Sequence, residues 1–334
     1  MNPLDPGHHA EELKAALAAV QAAAALTEAV RASTRPDTLE KGDRSPVTIA
    51  DFGSQAVVCR TLEVALPDDP VIAEESADAL RRDGHQAVLE RVTHFVRGVV
   101  ADATAESVLH WIDRGALQEA RPRFWTLDPI DGTKGFLRGD QYAVALALIE
   151  GNRPVVAALA CPALPGADGA GVVQWAVSGA GTWEAPLGDL SRARRISVTE
   201  ARTPREARLA ESVESGHSSH TDSARVQATL GISRPPVRMD SQAKYALVAR
   251  GQADMYMRLP VRKAYTERIW DHAAGSLVVS ESGGRVTDVF GNALDFGYGA
   301  FLKTNTGVVA TNGHLHDPVL AALEREGIGL KPVP

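Results

Sequence analysis

Apolar residues return every three or four positions in several parts of the first 113 residues, which is the spacing of an amphipathic helix. This spacing predicts a first helix over residues 10–33, where charged residues interrupt an alanine-rich run. A second helix is predicted to start at Thr48, and residues 78–113 are predicted to be helical. A short apolar run at residues 71–73 predicts a strand between these two helical stretches.

Apolar runs without helical spacing dominate the middle of the chain and predict strands. Residues 142–149 and 155–160 flank a Gly-Asn-Arg-Pro turn sequence, so they predict a hairpin. Further strands are predicted at residues 124–127, 172–177 and 196–198.

The last part of the chain predicts a mixture of helices and strands. Residues 200–224 contain few apolar side chains and are the predicted connection between two domains. Beyond them, the pattern predicts a helix at 241–250, a strand at 254–259, and a helix that follows Trp270-Asp271 and ends at Gly283-Gly284. Strands and helices alternate irregularly, which favours a layered α/β protein over a single wound sheet.

The composition excludes several classes of protein. With 44% hydrophobic residues among 334, the chain can build a core, which excludes a disordered or fibrous protein. A net charge of -7 and 5% aromatic residues argue against a surface for a nucleic-acid polymer. The two cysteines, Cys59 and Cys161, cannot form a disulfide framework. Since neither a signal peptide nor a run of 18 apolar residues is visible, we expect a cytoplasmic protein with no membrane span.

The segment Asp-Pro-Ile-Asp-Gly-Thr at residues 128–133 is the most informative part of the sequence. Asp128 and Asp131 follow a predicted strand, and the carbonyl between them can face the same point on a turn that the proline stiffens. Such oxygen donors suit Mg²⁺ or Mn²⁺. Gly132 allows the backbone to approach a ligand closely. The alternative is an ordinary turn whose carboxylates bond to their own backbone.

Other acidic residues also lie at the ends of predicted elements, where a site can be assembled. Glu74 and Glu75 follow the short strand at 71–73, although they can equally be a solvated loop. Asp51 can be the partner of Thr48 in a variant capping box, and Asp271 can be a helix cap. Each of these signals is weak alone, and together they indicate a metal site.

Taken together, these motifs and several more resemble one known family. The combination of segments 73–76 (AEES), 128–136 (DPIDGTKGF) and 270–275 (WDHAAG) resembles the inositol-monophosphatase superfamily of Mg²⁺-dependent, lithium-sensitive phosphomonoesterases. The resemblance is closer to its 3′(2′),5′-bisphosphate nucleotidases, and it rests on residues 46–55 (PVTIADFGSQ), 212–220 (SVESGHSSH), 240–245 (DSQAKY), 258–260 (RLP) and 294–297 (LDFG). One departure is Ala73, where relatives usually carry glycine.

The resemblance implies a role for each matched residue. Two or three Mg²⁺ ions, which Mn²⁺ can replace and Li⁺ inhibits, would be bound by Glu74, Asp128, the Ile130 carbonyl, Asp131 and Asp271. Asp51 and Thr133 would orient and deprotonate the attacking water, and Glu75 would lie behind the metal site near a water. The substrate would be contacted by Gly132, Thr133, His217, Ser241, Lys244, Arg258 and Asp271.

The resemblance also implies the fold and the activity. The fold would be a layered αβαβα sandwich, with an N-terminal α+β domain at 1–202 and a C-terminal α/β domain at 203–334. The substrate would be a small bisphosphate nucleotide, 3′-phosphoadenosine 5′-phosphate and also its 5′-phosphosulfate relative. The enzyme would act as a monomer, with no nucleic-acid polymer or membrane as partner, and without a phosphoenzyme formed on His217.

Three alternatives remain open from the sequence. Within the same superfamily, the activity could be that of an inositol polyphosphate 1-phosphatase, an inositol monophosphatase or a fructose-1,6-bisphosphatase. Outside enzymes, the chain could be a catalytically silent nucleotide sensor, or a structural metal protein whose carboxylates only hold the domains together. The last would leave His217, Lys244 and Arg258 without a purpose.

Overall fold

The computed structural model describes residues 2–33, 46–169, 171–214, 218–260 and 265–329, with the side chains of 46–48 excepted. Within these residues the chain forms ten α-helices and two short 3-10 turns, at Leu190–Arg192 and Pro204–Glu206. The helices are α1 (Ala10–Ser33), α2 (Pro46–Ala65), α3 (Asp78–Arg81), α4 (Gln86–Arg97), α5 (Ala105–Asp113), α6 (Thr133–Arg138), α7 (His220–Leu230), α8 (Ala243–Ala249), α9 (Ala273–Glu281) and α10 (His316–Arg325).

The strands form two sheets. The first sheet has the order β1-β2-β3-β4-β5-β6-β7, parallel between β1 and β2 and antiparallel elsewhere; the second has the order β11-β12-β10-β8-β9. The strands are β1 (Val71–Ala73), β2 (Arg123–Asp131), β3 (Ala143–Glu150), β4 (Arg153–Cys161), β5 (Val172–Val177), β6 (Gly181–Pro186), β7 (Arg194–Ile196), β8 (Leu209–Glu211), β9 (Val237–Arg238), β10 (Met255–Arg258), β11 (Arg285–Thr287) and β12 (Val308–Thr311).

These elements stack in five layers. Helices α1 and α2 cover one face of the first sheet, and α8 and α9 lie between the two sheets. Helices α7 and α10 cover the outer face of the second sheet. The order is therefore α-β-α-β-α, which confirms the layered fold expected from the sequence.

The apolar strands of the first sheet are buried on both faces because each face supports a different helix layer. Successive side chains of a strand alternate between faces. In β3, the larger residues Val144, Leu146 and Leu148 pack under α1 and α2. Its small residues Ala143, Ala145 and Ala147 face the α9 side, where they allow that helix to pack closely.

Helix α1 is long and apolar enough to cross a membrane by length and composition alone. Core helices and signal sequences meet the same test, and 61% of its most apolar 18-residue stretch is buried inside the protein. Its buried side packs against α2, β3 and β4. Packing within the core therefore accounts for its apolar composition.

Most predicted elements are present, and the exceptions have local causes. The helical stretch predicted at 78–113 is divided into α3, α4 and α5, with turns at Gly84 and after Gly98. The polar segment 200–224 is more than a connection, because β8 and the first residues of α7 lie within it. The predicted division between residues 202 and 203 lies between β7 and β8. β7 is the last strand of the first sheet along the chain, and β8 is the first strand of the second sheet.

Candidate metal centre and active site

A break in strand pairing brings Asp128 and Asp131 to the same side of the first sheet. Residues three apart on a regular strand point to opposite faces. Asp128 pairs with Ala145 but Asp131 pairs with Ala143, so β2 contains one residue more than β3 over this stretch. Such a bulge redirects side chains, and Pro129 can lie within it because a bulged residue needs no ladder hydrogen bond. The predicted turn is thus a bulged end of a strand.

Two further acidic residues reach the same point from other elements. The pairing of β1 with β2 aligns Ala73 with Leu127, so Glu74 follows its strand beside Asp128. Asp271 lies two residues before the start of α9, next to its N-cap residue His272. Carboxylate oxygens of Asp128, Asp131 and Asp271 lie within 4.8 Å of one another. The carboxylates that the sequence places far apart form one cluster.

Helix α2 joins this cluster through one of its faces. Asp51, Ser54 and Gln55 are three and four positions apart, which places them on the same side of a helix. The Ser54 hydroxyl donates to the Pro129 carbonyl at 2.8 Å. The Gln55 amide exchanges hydrogen bonds with the backbone of Glu75, at 2.8 and 3.0 Å. This face therefore holds both acidic segments in position.

Asp51 is not the capping residue that its spacing from Thr48 suggested. The helix begins at Pro46 and has no acidic residue in its first turn, so the capping-box interpretation is wrong. Asp51 is instead 6% exposed. Burial, followed by the charges of Glu75 and Glu74, raises the pKa of its carboxyl well above the usual value. The helix thus directs this carboxyl toward the acidic cluster.

The carboxyl groups of the cluster hold protons more tightly than isolated carboxyls do. Burial of the carboxyl group, followed by repulsion from Asp271 and Glu75, raises the pKa of Glu74 to about 8, although the residue as a whole is exposed to solvent. Burial and repulsion from Asp271 raise the pKa of Asp131 to about 6. The pKa of Asp128 lies well above its usual value, because the group is buried and faces Glu74.

The donor set of this cluster fits a divalent cation. The Oδ1 atom of Asp128 is buried without a hydrogen-bond partner in the described part of the chain. A buried polar atom in that state is costly unless something satisfies it. The ligand atoms that Asp128, Asp131 and Asp271 offer are all carboxylate oxygens, which Mg²⁺ and Mn²⁺ prefer. A cation here would satisfy the buried oxygen and remove the repulsion.

The predicted substrate residues of the C-terminal part lie against the Asp128–Asp131 segment. Gly132 has a φ of +86°, and a side chain there would meet the Cβ of Ser241 at 2.8 Å, so only glycine fits. Ser241 itself has a φ of +65°, an uncommon conformation for a residue with a side chain. The next backbone amide, that of Gln242, donates to Asp131 Oδ2 at 2.6 Å.

Lys244 is held inside the protein beside this contact. Its ammonium is buried and donates to the carbonyls of Ser241 and Met239, at 2.8 and 3.2 Å. It also lies 5.2 Å from the ring centre of Tyr256, a cation–π distance. Burial lowers the pKa of Lys244 to about 8, although Asp131 opposes the shift. Two of its three N–H donors are therefore used by the backbone.

Arg258 is fixed by a buried chain of polar side chains. Its Nε lies 3.2 Å from Glu267, and its Nη2 lies 3.8 Å from Asp271. Glu267 also bonds to His272 Nε2 at 3.1 Å, and the Tyr245 hydroxyl bonds to His272 Nδ1 at 2.7 Å. Glu267, Asp271 and His272 could also hold a metal ion by distance, but Glu267 and His272 already satisfy each other.

The remaining predicted site residues have the following places. Thr133 is the first residue of α6, and its hydroxyl donates to the Ile130 carbonyl at 3.3 Å. Burial raises the pKa of Glu75, whose backbone is bonded to Gln55. His217 lies outside the described residues.

Comparison with known proteins agrees with this geometry. The model of the inositol monophosphatase family matches residues 9–327. This chain belongs to the inositol monophosphatase family. Two similar proteins are named 3′(2′),5′-bisphosphate nucleotidase. The one from Schizosaccharomyces pombe is 42% identical, over 93% of this chain and 94% of its own length. The one from Oryza sativa is 43% identical, over 95% of this chain and 94% of its own length.

Solved structures of the family have the same fold. SuhB from Mycobacterium tuberculosis matches with a TM-score of 0.63 and 22% identity, over 97% of this chain and all of that one. CysQ from Bacteroides thetaiotaomicron matches with a TM-score of 0.60 and 20% identity, over 90% and 96%. The family is metal-dependent, and the acidic clusters of this member can bind metal ions.

Sequence reasoning missed several residues that build the site in this family member. Gln242 bonds through its side chain to the Trp270 carbonyl and the Gly275 amide, and so joins the α8 and α9 segments. Gln242 and His272 stand within the recognised segments 240–245 and 270–275, which is the signal that could have identified them. Nothing in the local pattern distinguishes Glu267 from a surface glutamate.

We expect the metal-free protein to lose thermal stability as the pH rises from about 4 to about 8. A carboxyl whose pKa is higher in the folded than in the unfolded state destabilises the fold as it ionises between the two values. This window runs from 4.5 to about 8 for Glu74 and from 3.8 to about 6 for Asp131. Melting temperatures in the presence of a chelator, measured across this range, test the expectation.

Two controls accompany this measurement. Glu74→Gln should make the decline in melting temperature shallower, because the variant lacks one ionising carboxyl. Saturating Mg²⁺ should reduce the decline in melting temperature of the unaltered protein. Binding of Mg²⁺ at pH 7 should also release protons, which calorimetry in buffers of different ionisation enthalpy can measure. Mg²⁺ binding without proton release would contradict the raised carboxyl pKa values.

Proposed function

We propose that this protein is a Mg²⁺-dependent 3′(2′),5′-bisphosphate nucleotidase, which hydrolyses 3′-phosphoadenosine 5′-phosphate to AMP and phosphate and also accepts the 5′-phosphosulfate relative. The observation that carries the proposal is the cluster of Asp128, Asp131 and Asp271, with the cations Lys244 and Arg258 at its edge. In a protein of net charge -7, this placement suits an anionic phosphate and the metal ions that accompany it. The names of the relatives support the nucleotide as substrate.

We assign the metal-binding role to the acidic cluster. Glu74, Asp128, Asp131, Asp271 and the Ile130 carbonyl would hold two or three Mg²⁺ ions, which Mn²⁺ can replace and Li⁺ inhibits. Bound ions of this kind supply Lewis acidity and countercharge to the phosphoryl group. Glu75, whose backbone Gln55 holds, would support the site from behind.

The same proposal gives the hydrolytic step to Asp51 and Thr133. A water molecule attacks the phosphorus of the 3′-phosphate, and the bond between phosphorus and the ribose 3′-oxygen breaks. Asp51, paired with Thr133 near that water, would accept its proton. The leaving 3′-oxygen would take a proton from solvent to become a hydroxyl, and Asp51 would return its proton to solvent. Little covalent work remains for the protein, because positioning and charge neutralisation dominate phosphoryl transfer.

The substrate side of the site would be formed mainly by the C-terminal part. We propose that Gly132 and Thr133 contact the scissile phosphate through their backbone. The nucleotide would be contacted by His217, Ser241, Lys244, Arg258 and Asp271. Two observations support this assignment. A side chain on Gly132 would meet Ser241, and the Gln242 amide donates to Asp131, so the segments 131–132 and 241–242 lie against each other.

Further expectations from the sequence, on compartment, partners and domains, remain part of the proposal. The protein would act as a cytoplasmic monomer, on a small molecule and with neither a membrane nor a nucleic-acid polymer as partner. Residues 1–202 and 203–334 would be its two domains, with the active site between them.

Phosphate release from four substrates tests this function. The substrates are 3′-phosphoadenosine 5′-phosphate, inositol 1-phosphate, inositol 1,4-bisphosphate and fructose 1,6-bisphosphate, each with Mg²⁺, without it, and with Mg²⁺ plus Li⁺. We expect strong preference for the nucleotide, loss of turnover without Mg²⁺ and inhibition by Li⁺. Preference for an inositol or sugar phosphate would replace the nucleotidase with one of the other superfamily activities.

The two non-enzymatic alternatives give different results in the same experiment. A silent sensor would bind the nucleotide, detected by a shift in melting temperature, without releasing phosphate from any substrate. A structural metal protein would be stabilised by Mg²⁺ but would neither bind nor hydrolyse the nucleotide.

A further inference from the structure

Tyr265 presents a half-exposed aromatic ring beside the candidate site. The residue is 50% exposed, and the guanidinium carbon of Arg258 lies 5.9 Å from its ring centre. Exposed tyrosines are common on protein surfaces, but this one is in contact with a cation of the site.

The position of this ring relative to the acidic cluster is defined by Arg258. The Arg258 side chain is 14% exposed and is held between Glu267 and Asp271, at 3.2 and 3.8 Å. Asp271 also belongs to the three-carboxylate cluster. A ligand with its phosphate at that cluster would therefore reach the Tyr265 ring with a part of the molecule that extends past Arg258.

Other tyrosines near the site cannot offer a free ring face. Tyr245 and Tyr256 are 1% and 2% exposed, and their rings pack edge to face against each other. Lys244 and Arg258, the two described cations beside the acidic cluster, suit phosphates. A planar, uncharged nucleobase needs a flat apolar partner, which an exposed aromatic ring provides.

We propose that the base of the nucleotide stacks on Tyr265, and that this contact sets the preference for nucleotides over phosphates that lack a base. The inference rests on the proposed nucleotidase function and adds a specificity-determining residue to it. Because stacking acts on the base and not on the reacting phosphate, the contact contributes to substrate binding and not to the chemical step.

The test compares two substrates that differ only in the base. These are 3′-phosphoadenosine 5′-phosphate and its abasic analogue 1,4-anhydroribitol 3,5-bisphosphate, assayed with Tyr265→Ala in the full chain. We expect KM for the nucleotide to rise about tenfold with little change in kcat, in the range that loss of one base-stacking contact produces. For the abasic analogue, kcat/KM should stay within about twofold of the unaltered protein.

Two variants serve as controls. Tyr265→Phe keeps the ring and should retain most of the nucleotide preference, which separates stacking by the ring from any role of the hydroxyl. Phe290→Ala removes a ring of similar exposure, 49%, that packs near Gly329. It should leave KM and kcat unchanged for both substrates.

Two results would overturn the inference. An unchanged KM for the nucleotide in Tyr265→Ala would show that the base does not stack on this ring, and equal losses on both substrates would show a general role in the site. If the unaltered protein fails to hydrolyse the nucleotide at all, the proposed function fails instead, so the two failures are distinguishable.

Discussion

Replacing Asp128 with asparagine is expected to lower kcat of the Mg²⁺-dependent hydrolysis by at least about 100-fold, while the melting temperature of the metal-free protein stays the same or rises. The activity falls because the buried carboxylate belongs to the candidate metal site and its Oδ1 atom has no hydrogen-bond partner among the described residues. The metal-free fold does not suffer, because the substitution removes a charge that faces Glu74 and Asp131.

Melting curves and steady-state kinetics on the same preparation measure both halves of this prediction. The Asp128→Asn variant should also lose the increase in melting temperature that Mg²⁺ gives to the unaltered protein. Asp140→Asn is a matched control, since Asp140 is an exposed aspartate near the site whose partner is Arg138, and it should keep both activity and the Mg²⁺ response. Near-normal turnover in Asp128→Asn would remove Asp128 from the ligand set.

Replacing Asp51 with asparagine is expected to lower kcat by about 10²–10⁴-fold, the usual contribution of a general base. Nucleotide affinity and the Mg²⁺-induced increase in melting temperature should remain, because Asp51 lies on α2 and outside the cluster of Asp128, Asp131 and Asp271. The variant keeps the shape of the side chain and removes its ability to accept a proton. Kinetics, equilibrium binding of the product AMP and melting curves separate these effects.

Ser54→Ala is the control for this prediction. Ser54 lies on the same face of α2 and bonds to the Pro129 carbonyl, so its loss disturbs the contact between the helix and the metal segment without removing a proton acceptor. We expect its kcat to fall less than about tenfold, a loss no larger than that of a typical hydrogen bond. If Asp51→Asn also loses the Mg²⁺ response, Asp51 is a metal ligand and not the base.

The local sequence was sufficient for much of the fold. Helical spacing predicted α1, and uninterrupted apolar runs predicted the hairpin of β3 and β4. Short strands such as β8 and β9 were not predicted from the sequence, because two or three residues carry too little pattern to distinguish a strand from a loop. The pairing of β8 with β10, and of β9 with β8, joins segments that are far apart along the chain, and this pairing is what makes them strands.

The same contrast holds for the candidate site. The sequence placed acidic residues at the ends of elements and, through its resemblance, placed the chain in its family. It suggested a capping role for Asp51 that the true helix start removes. It also predicted Lys244 as a substrate contact, whereas its burial and its bonds to two backbone carbonyls appear only in the folded chain.

By itself, the sequence determined which residue types are available and which elements carry them, since helix and strand periods are properties of neighbouring residues. Only the tertiary structure decided which of those residues meet. The bulge in β2 turns Asp128 and Asp131 to one side, and the Gln242 amide reaches Asp131 from 111 positions along the chain. The physical reason is that packing, register and burial depend on contacts between distant segments, and a local pattern does not contain those distances.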